Sequence, residues 1–187
     1  MCLAMTYILG IDPGIRRCGY ALITSDNTII DAGVLINEKK NSESYNQYLI
    51  NDHKIIDEKK ADRRMRLTRM YDTYNEIIKI IEPYKDNISV IGLEQFYFMT
   101  RTQQHAEFLY GLRGALVMYA LTQGRAIYDV GPTEMKKYIT GRGGAKKLNI
   151  HTMIMSLYNL NTKPKYADIS DALGIAYVTK AMSKQTL

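Results

Sequence analysis

ILGIDPG, residues 8–14, is the stretch whose reading decides the fold. The run Ile8-Leu9-Gly10-Ile11 stops at Asp12, and Pro13-Gly14 force a tight turn. An apolar run of this length, closed by turn residues, is a strand buried on both faces. It carries one carboxylate to the rim of a buried sheet. A second such run, ISVIGLE (88–94), ends in the same way on Glu94.

Outward from that strand, Gly19 to Thr24 and Thr28 to Ile36 are two more strands, separated by the turn Ser25-Asp26-Asn27. Short loops between three strands make an antiparallel meander. Residues 37–61 then dissolve into Asn, Lys, Glu, Ser and Asp, predicting an irregular insertion with a helical turn around Tyr45 to Ile50. Asp62 to Ile81 is a helix with Leu67, Tyr71, Tyr74, Ile78 and Ile81 as its apolar stripe, and Pro83 lies just past its end. The strand 88–94, reached through that helix, runs parallel to its predecessor.

A helix over 102–122 carries Leu109, Leu112, Leu116 and Ala120 on one side. Phe108, Ala115 and Tyr119 make the other side apolar too, which marks burial by a core or by a partner chain. Ala126 to Val130 is a fifth strand, followed by helices over 133–139, 146–158 and 164–181. The order β-β-β-α-β-α-β-α-α-α predicts an α/β fold. Its five-stranded mixed sheet, three antiparallel strands then parallel ones, is flanked by helices on both faces in a single domain, 1–187.

Composition narrows the function classes. No run approaches the roughly 18 apolar residues of a membrane span, and no secretory leader pattern is present, so no membrane is expected. Cys2 and Cys18 are too few for a disulfide scaffold, which points to the cytoplasm. The formal net charge of +6 points to a polyanionic partner. The charge is clustered: Arg16 and Arg17; Arg63, Arg64, Arg66 and Arg69; Arg142, Lys146 and Lys147.

The acids carry the chemistry. Asp168 and Asp171 share one helix face, which continues through the apolar Ile175 and Val178. No Lys or Arg lies three or four residues from Asp171 to pair with it. Ionised carboxylates in such surroundings need compensation. Each acid alone is as readily a strand end or a helix N-terminal residue reaching water. Asp12, Glu94, Asp168 and Asp171 together sit where one mixed sheet makes them converge. With no Cys or clustered His among them, this ligand set suits two Mg²⁺ or Mn²⁺ ions rather than zinc. Two such ions can drive phosphodiester hydrolysis. His53, His105 and His151 are widely spaced, and GRGGAKKL lacks the glycine spacing and hydroxyl of a phosphate loop.

ILGIDPGIRRCGYALI, IGLEQ and ADISDALGIAY, in this order, resemble the RuvC-type Holliday junction resolvases over nearly the whole chain. The resemblance implies an RNase H-like fold of the retroviral-integrase superfamily and a catalytic tetrad of Asp12, Glu94, Asp168 and Asp171. It implies two active-site lysines, matched to Lys136 and Lys147, with Lys137 and Lys146 as neighbouring candidates. It implies an aromatic wedge into the junction core, for which Tyr97 and Phe98 are both eligible. Arg16, Arg17, Arg101 and Arg142 join these as expected DNA contacts. The implied protein is a homodimer that resolves four-way DNA junctions by paired symmetric nicks in recombination, repair or phage DNA processing. A branch-migration helicase partner is left open. The Asn, Lys and Ile bias fits a low-GC bacterium or one of its phages. The rival expectations are an RNase H-like nuclease acting on other branched DNA or structured RNA, and a junction-binding protein without catalysis.

Overall fold

The computed structural model describes residues 6–14, 16–36, 48–49, 65–97 and 103–185, of which 48–49, 65–69, 103–105, 147–148 and 185 are described by backbone alone. The strand holding Asp12, β1 (Tyr7–Asp12), lies inside a mixed sheet. Around it stand β2 (Arg17–Thr24), β3 (Ile29–Ile36), β4 (Tyr48–Leu49), β5 (Ile88–Glu94) and β6 (Ala126–Val130), in the order β4-β3-β2-β1-β5-β6. The first three strands form the antiparallel meander, while β1–β5 and β5–β6 are parallel. The five expected strands are therefore present, extended at one edge by the two-residue β4 paired to Gly33 and Val34. Residues 48–49 are the only part of 37–61 among the described residues, and they are strand where a helical turn was expected.

Because side chains alternate across a strand, each strand feeds two cores. Ile8, Ala21, Ile23, Val34 and Val90 face α5 (Ala167–Gln185), with α3 (Pro132–Thr140) and α4 (Lys147–Leu157) packed into the same cluster. Leu9, Ile11, Leu22, Leu35, Ile91 and Leu93 face the opposite way, toward α1 (Met65–Ile81) and α2 (Gln103–Thr122). Helices thus cover both faces of the sheet.

Several boundaries differ from expectation. β2 begins at Arg17 rather than Gly19, because Arg17 and Cys18 pair with Ile36 and Leu35. The last helix starts at Ala167, after bends at Lys165 and Tyr166. The buried face of α1 runs through Thr73, Ile77 and Ile81, while Tyr71 is 64% exposed. Tyr74, Ile78 and Ile81 of the expected stripe do pack on this core, whose centre lies beside them where α1 meets α2 and Gly111 makes room for Met70. On α2, Phe108 is buried, and the open apolar side is Tyr110, Met118 and Leu121 rather than Phe108, Ala115 and Tyr119.

Candidate active site

Parallel strands β1 and β5 run side by side, with Ile11 opposite Leu93, so Asp12 and Glu94 end them at the same rim. The other two acids arrive on α5. Here helix and sheet backbones approach each other through glycine. A Cβ on Gly19 would stand 2.2 Å from the Asp168 carbonyl oxygen, and one on Gly10 would stand 2.4 Å from the Ala176 nitrogen. Gly92 makes the same room beneath Thr179. Three glycines on three adjacent strands therefore seat α5 directly on the sheet and bring its first turn, with Asp168 and Asp171, over Asp12. Glycine inside a strand signals such close backbone approach.

Electrostatics registers the convergence. The Asp12 carboxyl is held well above the ordinary carboxylate range. Burial is the largest cause, followed by the charge of Glu94, a hydrogen bond with the Glu94 carboxyl, and the charges of Asp171 and Asp168. All four predicted acids thus act on one point. The cluster converges without forming a finished cage: among the described residues, no three Asp, Glu, His or Cys side chains are gathered closely enough to hold an ion as they stand. Its donors are nonetheless all hard oxygens, and carboxyls in contact repel unless a proton or a cation lies between them. That donor set and that repulsion fit a divalent metal such as Mg²⁺ or Mn²⁺.

The basic and aromatic candidates differ in their surroundings. Arg16 is exposed. Arg17 is partly buried, with its guanidinium 5.1 Å from the centre of the Tyr166 ring, two residues before Asp168. Tyr97 is exposed and donates a hydrogen bond to Gln95 Oε1 at 2.8 Å. With Lys137 it lines a cleft of about 660 Å³ beside Gly131 and the start of α3. Arg142 and Lys146 line a second depression with Thr140 and Asn149. Lys136 is partly buried on α3, and Lys147 begins α4, its side chain outside the described part. Phe98 and Arg101 lie outside the described residues.

Two participants escaped the sequence reading. Tyr166 takes up Arg17, and Arg113 of α2 donates to the Glu94 main-chain carbonyl and pairs with Asp129. The signal for Arg113 was its being the single Lys or Arg in residues 103–122, on a helix otherwise apolar nearly all round.

An RNase H-like sheet with converging acids at the ends of its central parallel strands defines a class of metal-dependent nucleases. The comparisons narrow that class. The family model "Crossover junction endodeoxyribonuclease RuvC" matches residues 8–179. A curated relative of that name from Caldicellulosiruptor saccharolyticus is 30% identical, covering 90% of this chain and 89% of its own. One from Aliivibrio fischeri is 31% identical, covering 98% and 91%. Among solved structures, the Thermus thermophilus RuvC in complex with a Holliday junction superposes with a TM-score of 0.71 at 19% identity, covering 96% of each chain. The yeast mitochondrial Holliday junction resolvase Ydc2 does so with a TM-score of 0.55 at 14% identity, covering 98% of this chain and 85% of that one.

The chain belongs to the RuvC family of crossover junction endodeoxyribonucleases. It is accordingly a structure-selective, metal-dependent endonuclease. Among the described residues no helix is long and apolar enough to cross a membrane.

Proposed function

We propose that this protein binds four-way DNA junctions and resolves them by paired symmetric nicks, using two Mg²⁺ ions held by Asp12, Glu94, Asp168 and Asp171. The observation that carries this reading is geometric: Asp12 and Glu94 end adjacent parallel strands at one rim, and the contact at Gly19 seats the Asp168 end of α5 against the strand beside them. A protein that only bound junctions would have no reason to gather four partly buried acids where phosphate is to bind.

When bound there, the two ions supply activation of an attacking water and stabilisation of the leaving oxygen. The chain's own groups do the rest. Asp12 and Glu94, fixed at strand ends, and Asp168 and Asp171, fixed by the seat of α5, would supply the oxygen ligands, closing onto the ions from positions the fold already brings together. Lys136 and Lys147 are the candidates for neutralising charge on the scissile phosphate. Arg16, Lys137, Arg142 and Lys146 are the candidates for backbone contacts that fix register without reading sequence. Tyr97 presents an exposed ring at the rim, suited to stacking on an unpaired base.

A junction has approximate two-fold symmetry, so a C2 dimer would offer two sites to two strands of like polarity. The support for a dimer is the outer face of α2, where Tyr110, Met118 and Leu121 are each about half exposed or more. Gly114 on that helix is exposed and has nothing within 4 Å of where a Cβ would sit. Glycine there costs helix stability with no return inside the protomer. A second α2 passing close by supplies the reason.

The test is cleavage of labelled four-way junction, flap, linear duplex and RNA hairpin, with Mg²⁺ and with EDTA. Paired nicks in the junction are expected, lost in Asp12→Asn while junction binding persists. Cutting by Asp12→Asn, or in EDTA, would overturn the mechanism. Preferential cutting of flap or hairpin would move the substrate to another branched nucleic acid.

A further inference from the structure

Arg113 ties α2 to the end of β5 at the residue where the chemistry sits. Its guanidinium makes two contacts, one to the main-chain carbonyl of Glu94 and one to the carboxylate of Asp129 on β6. The Arg113 side chain is 14% exposed, against 54% for Asp129, so the inner contact is the shielded one. A charged donor on a neutral carbonyl in such a place is stronger and stiffer than an ordinary backbone bond. The neighbouring strand offers no substitute: β1 ends at Asp12, and Pro13 beyond it has no N–H to give. The segment is held again one turn earlier on α2, where Tyr110 meets the Phe96 ring edge to face at 5.2 Å. Glu94 and the strand exit behind it are thus fastened to one helix at two points three residues apart.

We propose that Arg113 is a positioning residue for Glu94: by gripping its carbonyl, it fixes where the carboxylate stands relative to Asp12 and makes the metal affinity of the site depend on α2. This rests on the reading of Glu94 as a catalytic metal ligand. Arg113 itself touches neither metal nor DNA in this role. Outer contacts of this kind, which orient a ligand without binding the ion, change metal affinity or activity by about 10–100-fold when removed. Because α2 also carries the candidate dimer face, the same contact links that face to the reacting end of β5.

The test compares the full-length wild type with Arg113→Met, which keeps the length and loses the donors, and Arg113→Lys, which keeps one. Four quantities are read: single-turnover cleavage of a four-way junction at saturating Mg²⁺, junction affinity in EDTA, Mn²⁺ affinity of the DNA-free protein by calorimetry, and Tm. For Arg113→Met, cleavage and Mn²⁺ affinity are each expected to fall by about 10–100-fold, with junction affinity unchanged and partial recovery in Arg113→Lys. Wild-type Mn²⁺ affinity and cleavage in Arg113→Met would overturn the proposal. So would losses that track Tm and vanish when the assay is cooled, since those mark a merely structural role.

If Arg113→Met fails to fold, Asp129→Asn releases only the outer hold and should shift Mn²⁺ affinity in the same direction by a smaller factor; no shift overturns the proposal. Glu94→Gln separates the role of Glu94 from its positioning by Arg113. If it still cuts, the role of Glu94 is wrong; if it is dead while Arg113→Met behaves as wild type, only the positioning fails.

Discussion

Asp12 and Glu94 end neighbouring parallel strands, and their carboxyls are in hydrogen-bond contact. Burial first, and Glu94 next, hold the Asp12 carboxyl well above its ordinary value of about 3.9. In the metal-free protein the sign follows from linkage. Between the unfolded and the raised folded value, the native state binds a proton that the unfolded chain has released. Stability therefore falls as pH rises through that window, by about 1.4 kcal/mol per pH unit for one such group, and levels off above it. In EDTA at neutral pH, Asp12→Asn is expected to raise Tm. Mg²⁺ is expected to raise the Tm of the wild type more than that of the variant. A lower Tm for Asp12→Asn in EDTA would mean that the carboxyl is not strained by its neighbours.

The seat of α5 gives a second prediction. In Gly19→Ala the new methyl lands against the Asp168 carbonyl oxygen at 2.2 Å and the Ala172 Cβ at 3.3 Å. Both belong to the helix that carries the acids, so α5 must lift at its first turn. The expected cost is about 1–3 kcal/mol of stability, with cleavage falling further than the population of folded protein explains. Gly144→Ala, where nothing lies within 4 Å, is the control and should leave Tm unchanged. Chemical denaturation and single-turnover cleavage on both variants decide it. Full activity in Gly19→Ala would show that the acids tolerate a displaced α5.

How much of this was legible in the chain depends on whether the cause was local. The strands ending in Asp12 and Glu94 were, because an apolar run stopped by an acid is a short-range pattern. So was the pairing of Asp168 with Asp171, which needs only the helical period. The edge strand Tyr48–Leu49 was not: its pairing to β3 is a tertiary event inside a polar stretch. On α1 the helical period found Tyr74, Ile78 and Ile81 but also took in the exposed Tyr71, because the gap at Gly111 that receives Met70 belongs to another helix. Arg17 reads as a basic residue beside a turn, and only the fold puts the Tyr166 ring under it. The glycines of β1, β2 and β5 were visible as strand-interior glycines, but which helix they admit is decided by packing.

The outer face of α2 makes a prediction with opposite signs in protomer and assembly. Gly114→Ala adds a methyl that meets nothing in its own chain, and alanine favours a helix over glycine by about 1 kcal/mol. The protomer should become more stable. If two α2 helices approach each other at Gly114, the same methyl weakens the dimer. Met118→Glu, which sets a charge at a position 60% exposed in the protomer, should leave Tm of the dilute protein nearly unchanged and shift sedimentation to the monomer. A dimer unaffected by both changes would place the two-fold contact elsewhere.

Arg16 and Arg17 are adjacent in sequence, yet their surroundings assign them different work. Arg16 is exposed at the rim, while Arg17 lies partly buried against Tyr166, which leads into the first turn of α5. A phosphate contact releases counterions, so removing one should flatten the dependence of log K on log salt by about one. A stacked guanidinium contributes about 0.5–2 kcal/mol to the fold instead. Junction affinity measured from low to moderate salt should thus lose about one unit of slope in Arg16→Ala, with Tm unchanged. Arg17→Ala should lower Tm and lose cleavage through its effect on Asp168, with the salt slope nearly kept. The reverse assignment, a slope change confined to Arg17→Ala, would mean that its guanidinium leaves Tyr166 for the DNA when the junction binds.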